Sequence, residues 1–188
     1  GRENEAGTWV KHFGGSRVLI HYGGGSAHRS GLIDRVVRSL DAAGVWSTQL
    51  GGVVPNPRDT LVIEGIELCR REKIDLVLAV GGGSVLDSSK AIAIGACYDG
   101  PLWDIYSYKY VPQKRLRLGT IITMPATGSE GSNSSVIVHE SEKLKRGLRS
   151  DLNRPDFSII NPELSYSLPP YQIACGISDI LSHMLERY

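Results

Sequence analysis

Short apolar runs alternate with amphipathic stretches along most of this chain. The apolar runs predict strands at residues 17–22, 45–50, 76–80, 118–123, 136–139 and 157–160. Between them, apolar residues recur at helical spacing, as in the stripe formed by Leu32, Ile33, Val36, Val37 and Leu40. Strands that alternate with helices indicate an α/β fold with a parallel sheet and right-handed crossovers.

Turn and capping residues predict where the elements between these strands begin and end. The expected segments are a helix from Ser30 to Ala43, a helix from Asn56–Pro57 to about Lys73, an irregular link over 101–114, a charged turn over 140–146, a loop over 149–155, and a last helix that opens at 168–170 and runs to the C-terminus.

Residues 74–94 predict a buried strand, a glycine turn and the start of a helix. Residues 76–80 are continuously apolar, as expected of a central parallel strand that is covered on both faces. Three glycines follow at 81–83, and Ser84 stands in the position of an N-cap with Asp87 at capping-box spacing. A helix N-terminus behind a glycine turn is a phosphate site, and the alternative is an ordinary capped turn with no ligand.

Two further loops of small residues also follow predicted strands. GGGS at 23–26 follows the first strand, and MPATGSE at 124–130 follows the fourth. The carboxyl ends of parallel strands meet at one edge of the sheet, which is where ligands of such sheets bind. Three small-residue loops at that edge favour an extended ligand, such as a dinucleotide, over a lone phosphate.

Composition narrows the class of protein further. The chain has 188 residues and a net charge of +1, which gives no reason to expect a nucleic acid or a membrane surface as partner. Three widely spaced cysteines outside any C-x-x-C motif predict buried thiols in a reducing compartment, so a cytoplasmic location is expected. The first residue is not Met and the last helical pattern has no stop signal, so we expect a fragment of a longer chain.

The turn after the first strand bears on the choice between NAD and NADP. An acidic residue that binds the adenosine ribose disfavours a 2′-phosphate, and no acid occurs here before Asp34. Ser26 offers a hydrogen bond, and His28 and Arg29 offer positive charge. We therefore expect NADP to be accepted; the alternative is that Arg29 is an ordinary solvated residue.

Asp179 and His183 stand four residues apart on the last predicted helix, so they share a face. A carboxylate and an imidazole at this spacing can chelate a divalent ion such as Zn²⁺ or Fe²⁺. An ordinary amphipathic helix with both side chains in water explains the same spacing. Two ligands are also fewer than the three of a typical catalytic zinc site.

Three motifs in this order carry a family resemblance: GGGSVLDSSK at 81–90, MPATGSE at 124–130 and GISDILSH at 176–183. Together they resemble the iron-containing (group III) alcohol dehydrogenases, in particular the butanol dehydrogenase branch. YGGGS at 22–26, NPR at 56–58 and YDGPLWD at 98–104 are similar to that branch as well. The similarity spans nearly the whole chain.

The resemblance implies a Rossmann-like nucleotide-binding domain of dehydroquinate synthase-like architecture at 1–165. It also implies the start of a truncated, all-helical metal-binding domain at 166–188. The family interconverts primary alcohols, such as butanol, and aldehydes with NAD or NADP, and a divalent metal, Fe²⁺ or Zn²⁺, holds the alcohol oxygen. One Asp and three His bind that metal; Asp179 and His183 match the first two. The other two histidines lie on later helices that this sequence lacks, so we expect the fragment to be inactive alone.

The resemblance also implies roles for residues that would bind the cofactor. The pyrophosphate and nicotinamide side is assigned to Gly82, Gly83, Ser84 and Asp87. Thr123 and Thr127 are expected to line the cofactor, and Lys145 is expected to reach its ribose. The adenosine end is assigned to Gly24, Gly25 and Ser26.

Other functions remain open at this point. Glycerol dehydrogenase and dehydroquinate synthase share the architecture and the glycine turn, although the GSE loop and YDGPLWD favour the alcohol dehydrogenases. A nucleotide-binding module without catalysis is the alternative from another class. A homodimer is among the assemblies left open.

Overall fold

A computed structural model of the protein describes residues 1–186. The predicted C-terminal helix extends in sequence to position 188, and its last two positions lie outside the described residues. A main sheet of five parallel strands has the order β2-β1-β3-β4-β7. Its strands are β1 Arg17–Tyr22, β2 Trp46–Leu50, β3 Leu76–Gly81, β4 Arg117–Ile122 and β7 Phe157–Ile160. The predicted α/β fold with a parallel sheet is confirmed.

Within residues 1–186, a separate hairpin and seven α-helices surround this sheet. The hairpin pairs β5 (Ser134–His139) with β6 (Leu144–Arg149) in antiparallel register. The helices are α1 Ala6–His12, α2 Ser26–Arg29, α3 Leu32–Ala42, α4 Asp59–Arg71, α5 Gly83–Gly95, α6 Leu102–Tyr106 and α7 Pro170–Leu185. None of the helices within residues 1–186 has both the length and the apolar character needed to cross a bilayer.

The strand β3 is the centre of the core, because every one of its six residues is buried. It lies between β1 and β4, and helices cover both faces of the sheet. On one face α3 contributes its apolar stripe, in which Leu32, Ile33, Val36 and Leu40 are buried as predicted. On the other face α5 packs between the sheet and the β5–β6 hairpin and is itself buried along most of its length.

Two predicted helix caps are wrong, and hydrogen bonds explain both. Ser84 does not cap α5, because the backbone N–H groups of Val85 and Leu86 already bond the carbonyl of Gly82, which is the N-cap. Ser30 does not cap α3 either. Its hydroxyl donates to the Ala27 carbonyl in α2, and Gly31, at φ 67°, is the N-cap of α3.

Three predicted irregular segments contain regular structure. The predicted charged turn is shorter than expected, because β6 already begins at Leu144. Only Leu148 of this strand is buried, so its charged residues face outward and hide the strand pattern. The strand β6 ends at Arg149, so it includes the first residue of the loop predicted at 149–155. That loop also contains a 3₁₀ helix at Asp151–Asn153. Likewise α6 lies within the predicted irregular link, with Leu102 and Ile105 buried.

Close packing of α1 on α3 depends on Gly7. Its backbone N–H donates to the Ser39 hydroxyl at 2.9 Å. A Cβ at Gly7 would lie 2.1 Å from the Ser39 carbonyl oxygen and 2.8 Å from the Ala43 side chain. Because the nearest of these atoms belongs to the backbone, the contact cannot be relieved by a rotamer change.

We expect Gly7→Ala to lower the free energy of unfolding by about 2 kcal/mol, as overpacking of a close contact does. The helical preference of alanine over glycine, about 1 kcal/mol, opposes this loss without cancelling it. Urea denaturation followed by circular dichroism measures the change. Gly131→Ala is the control, because a Cβ there has no heavy atom within 4 Å. An unchanged midpoint for Gly7→Ala would contradict the close approach.

Candidate functional site

The turn from β3 into α5 presents backbone rather than side chains. Gly82, the N-cap of α5, is extended at φ −91° and ψ −171° and provides no side-chain cap. The first turn of a helix leaves backbone N–H groups without an intrahelical partner, and the helix dipole adds positive charge there. The start of α5 therefore has the donors and the polarity of an anion site.

The loop after β4 lies directly against this turn. A Cβ on Gly83 would lie 3.0 Å from the Thr127 hydroxyl, and one on Gly82 would lie 3.6 Å from the Cβ of Met124. The backbone N–H of Thr123 donates to the carbonyl of Gly81, which ties the loop to the end of β3. Two of the three loops expected at one edge of the sheet are therefore in contact.

The third loop, after β1, sits beside the same helix. A Cβ on Gly23 would lie 3.5 Å from the Val85 side chain of α5, whereas one on Gly24 would meet open space. Gly25 is the N-cap of the short helix α2, which begins at Ser26. All three loops thus surround the start of α5.

Two adjoining cavities open at this edge. The small cavity, about 340 Å³, is lined by Asn56, Pro57, Gly83, Ser84, Asp87, Met124, Ala126, Thr127, Val136 and Lys145. The large cavity, about 1140 Å³, lies between residues 125–134 and α7 and also reaches Arg149 and Arg154. Asp87, Ala126, Thr127 and Val136 line both.

Several residues assigned to the cofactor lie on these walls, and others lie beside them. Gly83, Ser84, Asp87, Thr127 and Lys145 line the small cavity. Gly82 and Thr123 stand at the ends of the adjoining strands, and Gly24, Gly25 and Ser26 occupy the neighbouring turn.

Lys145 reaches the small cavity from β6. Its ammonium donates to the Asn56 side-chain oxygen at 2.8 Å, across the cavity wall from α5. An ammonium group has three donors, so two remain for a ligand. This placement suits a hydrogen bond to a ribose hydroxyl.

Asp87 has a structural role in addition to lining the cavities. One of its oxygens accepts from the Ser129 hydroxyl at 2.8 Å, and the other accepts from the Val136 backbone N–H at 3.0 Å. Burial raises the pKa of the Asp87 carboxyl, and these hydrogen bonds oppose that rise. Asp87 therefore fastens α5 to the loop after β4 and to β5, instead of closing the predicted capping box.

Lys90 and Ser129 were not singled out from the sequence as functional residues. The Lys90 ammonium donates to the Ser129 hydroxyl at 2.8 Å, and that hydroxyl in turn donates to Asp87. A lysine and an aspartate three residues apart, in a helix whose other residues are apolar or small, are the sequence signal for such a buried pair.

Positive charge lies beside the turn after β1. Arg29 folds back toward Gly25, so that a Cβ on the glycine would lie 2.6 Å from a guanidinium nitrogen. His28 bonds the Tyr22 hydroxyl at 2.8 Å through Nε2, and the two rings meet edge to face. Arg29 is exposed and His28 is held in place by its tyrosine partner.

Asp179 and His183 stand together on α7, as their spacing predicts. The His183 Nε2 lies 3.7 Å from an Asp179 oxygen, and its Nδ1 lies 3.6 Å from a Glu186 oxygen. Both side chains are about half exposed. The helix meets the loop after β4 at Gly176, where a Cβ would lie 2.8 Å from the Pro125 carbonyl oxygen.

The residues present fit a dinucleotide and half of a metal site. For the dinucleotide, glycine backbone, a helix N-terminus and the Lys145 ammonium line one cavity. For the metal, Asp179 and His183 provide a carboxylate and an imidazole, which suit Fe²⁺ or Zn²⁺. Among residues 1–186 no group of three or more His, Cys, Asp or Glu side chains is arranged to hold a metal ion.

Comparison with known proteins gives consistent matches. A probable NADH-dependent butanol dehydrogenase 1 of Bacillus subtilis is 47% identical over 174 residues, which cover 93% of this chain and 45% of that protein. NADH-dependent butanol dehydrogenase A of Clostridium acetobutylicum is 44% identical over 188 residues, or 100% of this chain and 48% of that protein. The chain therefore spans about half the length of these relatives.

A solved structure and a family model agree with these matches. The crystal structure of NADH-dependent butanol dehydrogenase A from Thermotoga maritima superposes with a TM-score of 0.96 at 41% identity, over 99% of this chain and 47% of that one. The model of the family described as iron-containing alcohol dehydrogenase matches residues 1–162. The resemblance carried by the three motifs is confirmed, and the chain belongs to the iron-containing alcohol dehydrogenase family.

Proposed function

We propose that the chain is the coenzyme-binding part of a metal-dependent, NAD(P)-linked alcohol dehydrogenase that interconverts primary alcohols, such as butanol, and their aldehydes. The observation that carries this proposal is the convergence of the β3–α5 turn and the loop after β4 on a cavity that Lys145 also lines. The printed names of the relatives support the substrate class.

The residues of the chain have separable tasks in this proposal. Gly82 and Gly83 let a pyrophosphate approach the backbone N–H groups of α5, where a larger side chain would meet the loop after β4. Lys145 binds the nicotinamide ribose, and Thr127 lines the space beside it. The loop after β4 lines the small cavity on one side and the cavity beside α7 on the other, so in this proposal it would lie between the coenzyme and the alcohol.

Asp179 and His183 would hold the metal. A divalent ion there supplies Lewis acidity toward the alcohol oxygen, and the nicotinamide ring supplies the hydride acceptor. Glu186, close to the second nitrogen of His183, orients the imidazole as outer partners of metal ligands do. Two further ligands are required, and the family resemblance assigns them to later helices of a longer protein.

We further propose that residues 1–165 form the coenzyme domain and 166–188 open a helical one. This division is supported by α7, in which Gly176 is the residue that the structure buries while most of its apolar side chains are exposed. A cytoplasmic location is part of the same proposal, supported by three free cysteines. The prediction that these thiols are buried holds for Cys69 and is wrong for Cys175, which is exposed on α7.

A nucleotide-binding module without catalysis is the second candidate. The half-exposed positions of Asp179 and His183 are compatible with it, because such pairs also occur on ordinary helix surfaces. Both candidates require a dinucleotide site, so coenzyme binding alone does not separate them, whereas metal-dependent turnover by a longer protein does.

We expect the chain to bind NADH and Gly83→Val to weaken that binding about ten-fold, because the new side chain fills the space before Thr127 and covers the helix N–H groups. NADH fluorescence titration measures the affinity. The control Gly147→Ala, whose Cβ would make only an ordinary 3.7 Å contact, should bind like the wild type. Wild-type affinity for Gly83→Val would place the pyrophosphate elsewhere.

We expect NADPH to bind within about ten-fold of NADH, because Arg29 offers charge to a 2′-phosphate. Arg29→Ala should weaken NADPH about five-fold and leave NADH nearly unchanged. Parallel titrations with both coenzymes measure the ratio, with exposed Arg38→Ala as the matched control. Equal effects of Arg29→Ala on both coenzymes would show that Arg29 does not face the phosphate.

We expect the 188-residue chain to bind Zn²⁺ only weakly, in the range of about 10 μM or weaker, and not to turn over butanol or butanal, because two donors do not complete a catalytic site. Calorimetry measures the metal affinity, which His183→Ala should abolish and His12→Ala should leave intact. Measurable, zinc-dependent oxidation of NADH by butanal with this chain would overturn the expectation.

A further inference from the structure

Lys90 is a lysine with no exposed surface, in the middle of α5. Its ammonium donates to the Ser129 hydroxyl and the Ser134 carbonyl, each at 2.8 Å. It also meets the Ser132 carbonyl at 3.3 Å and the Ser132 hydroxyl at 3.2 Å. All these oxygens belong to residues 129–134, so one buried cation binds the part of the segment that leads into β5.

The segment that Lys90 binds belongs to the loop that lines both cavities. Residues 125–134 form one wall of the large cavity, and Ala126 and Thr127 also line the small one. The Ser129 hydroxyl donates to one oxygen of Asp87, whose second oxygen accepts from the Val136 N–H of β5. The wall is therefore fastened to α5 at two positions, one helical turn apart.

We propose that Lys90 is a positioning residue for the coenzyme: its buried ammonium fixes residues 129–134 against α5 and thereby sets the distance between the loop after β4 and the glycine turn. This inference rests on the proposed binding of a nicotinamide dinucleotide. Lys90 itself does not touch the coenzyme, because its ammonium is enclosed by the serine oxygens of the segment.

The alternative is that Lys90 only fills space. A linear apolar side chain would serve that purpose without the cost of burying a charge. It would, however, leave the carbonyls of Ser132 and Ser134 and the hydroxyl of Ser129 without their donor. A buried acceptor that has lost its donor costs free energy. Replacing Lys90 with an apolar side chain would therefore destabilise the loop that carries these acceptors, rather than the helix.

Charge around Lys90 makes its contribution depend on pH. Burial is the largest effect and lowers the pKa of Lys90 to about 8. Asp87 on its own helix and Glu130 on the loop raise this pKa, while Arg154 beyond the hairpin lowers it. An anionic coenzyme in the adjoining cavity favours the ammonium and raises this pKa in the complex. Coenzyme affinity is therefore full below about pH 8 and falls as the pH rises above it.

The first experiment is an NADH titration of the wild type and of Lys90→Met at pH 7 and pH 9.5. We expect the wild type to lose about five-fold in affinity across this interval. Lys90→Met should bind about ten-fold more weakly at pH 7 and show no further loss at pH 9.5. A space-filling lysine predicts a normal affinity at pH 7 or an unchanged alkaline loss in the variant, and either result overturns the proposal.

Matched variants separate the network from general damage to the fold. Ser129→Ala removes the hydroxyl shared by Lys90 and Asp87 and should weaken NADH at pH 7 while keeping part of the alkaline loss. This variant takes the place of Lys90→Met in the titration if Lys90→Met does not fold. Lys109→Met, a lysine whose side chain is largely exposed, should behave as the wild type at both pH values. A wild-type affinity for Ser129→Ala would also count against the proposal.

A second measurement does not need the coenzyme. Hydrogen exchange at pH 7 should show that Lys90→Met, or Ser129→Ala in its place, loses protection at amides 127–134 while β3 keeps its protection. Full protection of the loop would overturn the positioning role. If the wild type binds neither NADH nor NADPH at any pH, the proposed function fails, while the exchange result still decides the role of Lys90.

Discussion

All six residues of the central strand β3 are buried, and the arrangement of the neighbouring elements follows from this constraint. A strand buried on both faces needs a neighbour on each edge and a helical layer above and below, which β1, β4, α3 and α5 provide. Because α5 must lie close on the sheet, the chain turns from strand to helix within one or two residues. A Cβ at Gly83 would lie 3.0 Å from the Thr127 hydroxyl, so glycine there lets the loop after β4 lie close to the start of α5. The site at the start of α5 therefore follows from the packing of the core.

Because α5 is buried, its polar side chains must find hydrogen-bond partners within the protein. Ser88 donates to Nε2 of His21, whose Nδ1–H donates to the Leu50 carbonyl, and burial lowers the pKa of His21 to about 4. This pair is neutral and binds β1 and β2 to the helix. The opposite side of α5 carries the charged residues Asp87 and Lys90, which bind the loop after β4 and the hairpin. One helix thus joins the sheet to the loop and the hairpin that line the site.

The sequence predicted the strands well because their signal is local. Residues 17–22 and 157–160 are strands with the expected bounds, since each is a short apolar run between turn residues. The grouping of the glycine turn with the loop after β4 also followed from sequence, because both come after strands of one parallel sheet. The caps at Ser30 and Ser84 failed because glycine carbonyls and tight turns begin those helices instead.

What the sequence did not reveal depends on contacts between distant segments. The strand β6 has one buried side chain, Leu148, so its pattern resembles a charged turn until its pairing with β5 is known. Lys90 reads as a surface lysine unless the apolar residues around it are recognised as core. Its partners lie about 40 residues further along the chain, beyond the reach of any helical periodicity.

Because α7 contacts the loop after β4 at Gly176, a small tilt of the helix at this residue displaces its later residues. His183 lies seven residues beyond that glycine, which is about 10 Å along the helix axis. A tilt of the helix by about 10° around this point displaces the His183 backbone by about 2 Å, at a rise of about 1.5 Å per residue. In the proposed metal site, where metal–ligand distances vary by only about 0.2 Å, the angle at which the helix crosses the Pro125 carbonyl at Gly176 would govern whether the imidazole reaches the ion.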